Sequence, residues 1–430
     1  MSMKPETFCL FLFILLIQTT SLFAGDDLHI GGYLQTGNRF VLEGSELTWN
    51  ENRLNLKLSA GDRMDYSLYS EVQLRKFGHA EEDSSMAYVE LSEAYLDLYS
   101  FPSKSVDIRL GRQMINWGTA DGINPTGNIC PDDLEMLLDF GNHLGVDAIK
   151  GTYYASSATF ECVYVPTFTP ARLPPSEYAG ALVSAFSSGI DLPPGVSLEG
   201  FTQQSEVPDN DLRESSQFAM KLATFARGFD LSLSYYYGRD DLPLPGSISL
   251  QDSVIILIYP RLQVIGADFA GSIGSVGFWG EGGLFLPKEV LLEMPGVSPL
   301  VIQENTPYTR FVVGNDYTFR NGIYVNAQVF HGFVHERGSE NLNDYLAFRV
   351  EQDAMGDKLT IVPISVLFSV SDWEDPQENY GVAYVPELRY RPIDNVEMTM
   401  NCSILHGEGT NMFSQLGDLD DVFLKVRASF

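Results

Sequence analysis

The chain alternates apolar and polar residues in short runs that are separated by turn-forming residues. Its end shows the pattern: Val422, Leu424 and Val426 share one parity, and Asp421 and Lys425 share the other. Strict alternation predicts a strand with one apolar and one polar face. About eighteen runs read as strands, near residues 28–40, 50–60, 65–77, 87–100, 105–113, 146–156, 158–166, 215–227, 229–238, 253–270, 273–285, 308–320, 322–334, 344–354, 357–371, 378–391, 395–406 and 421–430.

The connections between these runs alternate in length. Starting after the second run, every other connection is short, as at 60–65, 227–228 and 320–321, whereas most of the others are longer, up to 114–145 and 167–214. Short turns on one rim and long loops on the other are typical of an outer-membrane barrel. A β-sandwich has no reason to alternate its loops in this way. The pattern therefore predicts an all-β transmembrane antiparallel β-barrel of about 18 strands, or alternatively 16, with periplasmic turns and extracellular loops.

Charged residues stand at mid-strand on the polar faces, which is costly in a packed core and natural in a water-filled lumen. Rings of such charges set ion preference in pores. Parity predicts that the following residues face the lumen: Glu71, Arg75, Glu93, Asp97, Arg109, Glu281, Arg349, Glu351, Glu387 and Arg389.

The two ends of the chain show patterns that resemble targeting signals. Residues 8–17 form an apolar core that is too short to span a membrane, and Ala24 offers a small residue for cleavage. We interpret 1–24 as a signal peptide, with an N-terminal anchor as the alternative, and 25–430 as one barrel domain. The final Phe430, preceded by apolar residues at alternating positions, resembles the C-terminal signal by which the assembly machinery recognises outer-membrane barrels.

The formal net charge of −30 argues against nucleic acid as a partner and weakly favours cations in a lumen. The expected location is the outer membrane of a Gram-negative-type bacterium. The expected partners are outer-membrane lipid and lipopolysaccharide, the assembly machinery, and small solutes or ions. The oligomeric state stays open.

The loop 114–145 carries the most distinctive chemistry. Pro131 and the acids after it predict a short helix to about Asp139, with Leu134 and Leu138 on its apolar side. Such a helix would pack on the barrel wall and fold the loop inward. Acids of the loop are then expected to form one wall of a pore constriction, with arginines opposite: Asp121, Asp132, Asp133, Glu135 and Asp139 against Arg75, Arg109 and Arg112.

The stretch "RLGRQMINWG", followed by "DGINP" and "PDDL", resembles a family of porin-like outer-membrane proteins of largely uncharacterised function. The matching residues are Arg109, Gly111, Arg112, Gln113, Trp117, Gly118, Asn124, Pro125, Asp133 and Leu134. The resemblance implies a barrel and transport, and it implies no ligand.

No catalytic, metal or cofactor site is predicted. His331 and His335 lie four residues apart but lack the glutamate of a metalloprotease helix, and no G-x-S-x-G elbow is present. The protein is therefore predicted to be a porin-like channel for passive diffusion and not an enzyme. The alternative is a surface barrel without a channel, whose acidic loops bind a partner or divalent cations. Residues 167–214 would either plug the lumen or form an extracellular lid.

Overall fold

A computed structural model describes residues 28–42, 47–62, 64–78, 86–136, 138–174, 201–209, 211–409 and 411–430. The predicted signal peptide at 1–24 lies outside these residues. Most of the predicted plug or lid at 167–214 does so as well, since 175–200 and 210 fall outside the described ranges.

The described chain is almost entirely strand and connection. Its strands are β1 (His29–Val41), β2 (Leu47–Ala60), β3 (Tyr66–Gly78), β4 (Met86–Leu98), β5 (Val106–Gln113), β6 (Val146–Tyr154), β7 (Ala158–Val165), β8 (Thr202–Glu206), β9 (Gln217–Ala226), β10 (Phe229–Arg239), β11 (Leu244–Ser249), β12 (Val254–Ile258), β13 (Arg261–Ile273), β14 (Val276–Pro287), β15 (Val290–Leu292), β16 (Leu300–Gln303), β17 (Tyr308–Thr318), β18 (Ile323–His331), β19 (Asp344–Ala354), β20 (Leu359–Val370), β21 (Tyr380–Tyr384), β22 (Glu387–Ile393), β23 (Val396–Glu408) and β24 (Asp421–Ser429). A one-turn α-helix at Met412–Gln415 and 3-10 turns at Ser339–Asn341 and Gly417–Leu419 complete the regular elements of the described ranges.

One sheet closes into a barrel. It contains all strands except β8, β11, β12, β15 and β16, and its neighbours are antiparallel and follow chain order. The segments β21 and β22 both pair with β20 and with β23, so they are two halves of one barrel strand. The break contains Pro386, which has no N–H for a ladder. The barrel therefore has 18 strands, and the predicted fold is confirmed with the larger of the two strand counts.

The last strand closes the ring against the first. Strand β24 pairs with β1 from Ser429 opposite Tyr33 to Asp421 opposite Val41. Two backbone hydrogen bonds between Gly32 and Phe430, of 3.1 and 3.0 Å, extend this ladder. The alternation at the chain end thus encodes the closing strand, which leaves no open sheet edge at this point.

The outer face of the barrel is apolar and the inner face is largely polar. On β17, Phe311 and Val313 are 43% and 50% exposed on the outside, whereas Arg310 on the inside is 9% exposed. Exposed apolar residues alternating with enclosed polar ones invert the pattern of a soluble protein. This inversion is typical of barrels whose outside faces lipid.

The connections have the predicted lengths on each rim. Short turns occupy 61–65, 99–105, 155–157, 227–228, 274–275, 319–322, 355–358 and 394–395, and most connections on the other rim are longer. The predicted run 253–270 is in fact two strands, because Pro260 separates β12 from β13. Strand β12 lies in a small sheet with β8 and β11, and β15 pairs with β16, all within the long loops. Within the described ranges, no helix is long and apolar enough to cross a membrane.

The helix predicted from Pro131 to Asp139 is wrong: its described residues form no helix. Instead, Asp132 forms an antiparallel bridge with His143, and Asp133 forms a parallel bridge with Arg172 of another loop. The Arg172 N–H donates to the Asp132 carbonyl at 2.9 Å, and the Leu144 N–H donates to the Pro131 carbonyl at 2.8 Å. A helix would pair these carbonyls with N–H groups four residues on, so tertiary contacts override the helix-start signal.

Candidate functional site

Segment 114–145 lies inside the barrel. Its residues contact inward-facing side chains from strands on different sides of the ring, and a loop can reach all of them only from within. These side chains are Arg39 of β1, Arg75 of β3, Glu161 of β7, Glu281 of β14 and Asn326 of β18. The inward fold expected for this loop therefore holds, although the predicted helix does not provide it.

Glu281 attaches the segment to the barrel wall at β14. Its side chain accepts backbone N–H bonds from Thr119 at 2.6 Å, Ala120 at 3.3 Å and Thr126 at 3.4 Å. Glu281 is 4% exposed, and its carboxylate pairs with no cation of the described chain. Gly118, at φ +106°, allows this approach, since a Cβ there would lie 2.5 Å from Glu281 Oε2.

Arg75 fastens the segment on the other side. Its guanidinium lies 2.6 Å from Glu135 of the segment and 2.6 Å from Glu51 of β2. The Arg75 side chain is 1% exposed, so this bridge is sheltered from water. Burial raises the pKa of Glu135, and the charge of Arg75 opposes that rise. Both residues were predicted at the constriction, but they neutralise each other instead of facing each other across a gap.

Asp132 and Asp133 join the segment to two other loops and to the wall. Asp133 pairs with Arg172 at 2.9 Å, and Arg172 also reaches Glu90 of β4 at 2.6 Å. Asp132 lies 3.1 Å from Nδ1 of His143. The Asp132 N–H donates to Asp241 at 2.7 Å. These two acids, which were predicted at the constriction, therefore attach the segment to the neighbouring loops and the wall.

Two groups at this junction hold protons unusually tightly. Burial lowers the pKa of the His143 imidazole, but the hydrogen bond and charge of Asp132 outweigh it, so the net pKa is raised. Burial, with repulsion from Asp132 and Asp240, raises the pKa of Asp241 to about 7. Both groups thus bind protons more tightly in the folded protein than in the unfolded chain.

We expect acid to stabilise this junction. For Asp241 the folded state binds more protons between about pH 4 and pH 7, and for His143 it does so above the ordinary histidine pKa of 6.5, so stability falls as pH rises through these windows. The midpoint of thermal unfolding should therefore fall between about pH 5 and about pH 8. Asp241→Asn should flatten this dependence, whereas Asp372→Asn, an exposed loop acid, should not. Equal slopes in the two variants would contradict the assignment to Asp241.

Arg112 does not face the lumen, so its predicted place in the constriction is wrong. It shares the parity of Ile108 and Leu110, and it sits opposite Asp147 in the ladder on the outer face. Its guanidinium lies 3.7 Å from the exposed Asp147 carboxylate. Arg109 faces inward, where it forms two hydrogen bonds with Asp97, of 2.7 and 2.9 Å. Strand β4 ends at Leu98, one residue beyond Asp97, and a short turn follows, so Arg109 is directed away from the segment.

The other predicted lumen charges point inward and most are paired. Glu71 accepts hydrogen bonds from Asn55 and Tyr69, both of 2.7 Å, and Glu93 accepts one from the Met114 N–H at 2.7 Å. The remaining four form one network on β19 and β22: Arg349 with Glu351 and Glu387, and Arg389 with Glu387.

A cavity of about 410 Å³ remains between the segment and one side of the wall. Asp121 and Asp139 of the segment line it, so these two predicted constriction acids do face open space. Lys425 and Arg39 line the wall, and sequence reasoning did not assign them a role. The alternation of β24 had placed Lys425 on the polar side, which was a usable signal.

His331 and His335 do not form a pair. His331 lies 2.7 Å from Asp344, and His335 is buried against the ring of Phe333. Across the described residues, no group of three or more His, Cys, Asp or Glu side chains is placed to hold a metal ion.

The profile of a family described as a protein of unknown function (DUF1302) matches residues 48–284. This span is more than half of the chain. The chain belongs to this family. The span includes the residues 109–134 on which the resemblance rested, and their role as a family motif stays a prediction. No curated protein shows significant sequence similarity to the chain.

Solved structures share the fold. Pseudomonas aeruginosa OccK11 (OpdR) aligns over 95% of this chain and 96% of its own, with 10% identity and a TM-score of 0.53. Pseudomonas aeruginosa OccK5 (OpdH) aligns over 94% and 98%, also with 10% identity and a TM-score of 0.53. At this identity the likeness concerns the fold alone. The DUF1302 chain is thus a porin-like barrel.

Proposed function

We propose that the protein is an outer-membrane channel through which small solutes or ions diffuse passively, narrowed by segment 114–145. Barrels of 16 to 18 strands are wide enough to enclose an aqueous passage. The observation that carries the proposal is the fastening of the segment inside the barrel by Glu281 and Arg75, with open space left beside it. Charged side chains face that space, and because charges are costly to keep away from water, they favour a water-filled passage over a sealed lumen.

The wall chemistry supports the same function. Charged side chains on the inner face pair with one another and keep the wall hydrophilic, as in the network of Arg349, Glu351 and Glu387. Such a wall solvates a passage without binding an ion tightly. The outer face, by contrast, is suited to lipid.

Single-channel recording tests the proposal. The purified, folded protein in a planar bilayer should give stable conductance steps, with a reversal potential that favours cations under a salt gradient. Asp121 and Asp139 form no ion pair with any residue that the structure describes, so changing both to Asn should shift the reversal potential toward zero. Asp372→Asn is the matched control, because it changes the charge of an exposed loop. A folded barrel that never conducts would overturn the proposal.

A further inference from the structure

The charges around the cavity are of two kinds. Arg39, Arg349 and Glu387 line it, and each is neutralised by a neighbour. Arg39 lies 2.9 Å from Asp421, and Arg349 and Glu387 belong to the network on β19 and β22. These three therefore contribute little net attraction for a solute.

Among the described residues that line the cavity, Asp121, Asp139 and Lys425 carry charges without an ion pair. Asp121 accepts a hydrogen bond from the Asn326 amide at 3.1 Å and has no cation within ion-pairing distance among the described residues. The carboxylate of Asp139 and the ammonium of Lys425 make no hydrogen bond or ion pair with any residue that the structure describes. The acids stand on the segment and the lysine on strand β24, so opposite charges face one cavity from two elements.

We infer that this cavity binds zwitterionic solutes that carry a carboxylate, an ammonium group and an apolar side chain. The carboxylate would meet Lys425, and the ammonium would meet Asp121 and Asp139. This binding site rests on the proposed channel function and names the class of solute that the channel would take.

Neither a simple anion nor a simple cation satisfies the whole site. An anion would pair with Lys425 and be repelled by the two acids. A cation would pair with the two acids and be repelled by Lys425. A solute with both charges pairs with Lys425 and with the two acids. Hydrogen bonds between charged groups are stronger than hydrogen bonds between neutral groups.

The rest of the lining supplies apolar surface. Phe140 on the segment and Phe330 on β18 both contribute to the cavity. Pockets of about 300–1,000 Å³ suit small ligands, and apolar walls with a few fixed polar groups give such sites their specificity. The volume of about 410 Å³ suits one amino acid with an aromatic or branched side chain.

Three solutes of one shape test the inference: L-phenylalanine, 3-phenylpropanoate and 2-phenylethylammonium. Their dissociation constants are measured by ligand-observed NMR titration of the whole detergent-folded protein, so the test does not need an open passage. L-phenylalanine should bind about tenfold more tightly than either single-charge analogue.

Two variants assign the charges. Lys425→Gln should weaken L-phenylalanine about tenfold without weakening 2-phenylethylammonium. Asp121→Asn with Asp139→Asn should weaken L-phenylalanine similarly without weakening 3-phenylpropanoate. Lys150→Gln is the matched control: Lys150 shares the inward parity of Arg109 in the ladder but does not line the cavity.

Equal binding of the three solutes, or equal effects of Lys425→Gln and Lys150→Gln, would overturn the inference. Selective binding by a barrel that never conducts would leave the inference standing and refute the channel function. Conductance without selective binding would support the channel function and refute the inference.

Discussion

Replacing Gly118 by alanine should detach segment 114–145 from Glu281, raise single-channel conductance severalfold, and lower the free energy of unfolding by about 2–4 kcal/mol. Gly118 has φ +106°, where an L-residue is strained, and the new Cβ would lie 2.5 Å from Glu281 Oε2. Either the backbone or the carboxylate must move. The buried carboxylate then loses N–H donors that nothing in the described structure replaces.

Gly122→Ala separates the two causes of this effect. Gly122 belongs to the same segment and also has positive φ, at +90°, but the nearest atom to its new Cβ would be 3.7 Å away on Phe140. It should carry the backbone penalty of about 1 kcal/mol without the collision. Conductance should therefore stay close to that of the unchanged protein. If both variants conduct alike, the Glu281 contact does not position the segment.

Replacing Arg75 by methionine should cost about 3 kcal/mol of stability and also open the passage. Glu51 keeps Arg53 as a partner at 2.8 Å, but Glu135 loses the one side chain of the described residues that hydrogen-bonds it. Because Glu135 is largely enclosed, its pKa should rise further as the arginine charge is removed. Conductance and unfolding in denaturant measure the two effects.

Two comparisons test the cause. Lys57 also pairs with an inward carboxylate, Glu71, at 3.3 Å, but its side chain is 47% exposed, so Lys57→Met should cost at most about 1 kcal/mol. Adding Glu135→Gln to Arg75→Met removes the stranded charge and should recover part of the lost stability. A double variant no more stable than the single one would show that packing of the arginine stem, and not its charge, stabilises this wall.

The sequence was most informative where a rule acts within one strand. Alternation places Glu71 and Arg75 on one face of β3, because successive side chains of a strand point to opposite sides whatever the rest of the chain does. The same rule would have excluded Arg112, which shares the parity of the outward Leu110. The predicted place of Arg112 in the constriction contradicts this parity, and the structure has the residue opposite Asp147 on the outer face.

Contacts between distant residues could not be read in this way. Pro386 and Pro260 each interrupt a predicted run, and the sequence shows both prolines. Whether the two halves stay in one barrel strand, as β21 and β22 do, or separate into different sheets, as β12 and β13 do, depends on which strands lie alongside. The helix expected after Pro131 was lost because Arg172 offers its backbone to the same groups. A capping signal is a local preference, and it yields when tertiary partners satisfy the same donors.

By itself the sequence determined an antiparallel barrel of about 18 strands, its closing strand, its two rims and the inward parity of most charged residues. These follow from a period of two residues and from turn chemistry, which act over a few positions. The tertiary structure alone decided that Glu281 holds the backbone of Thr119, that Arg75 neutralises Glu135, and that Lys425 is left facing Asp121 and Asp139. Which charges are paired and which stay free depends on distances across the lumen, and closure of the ring sets those distances.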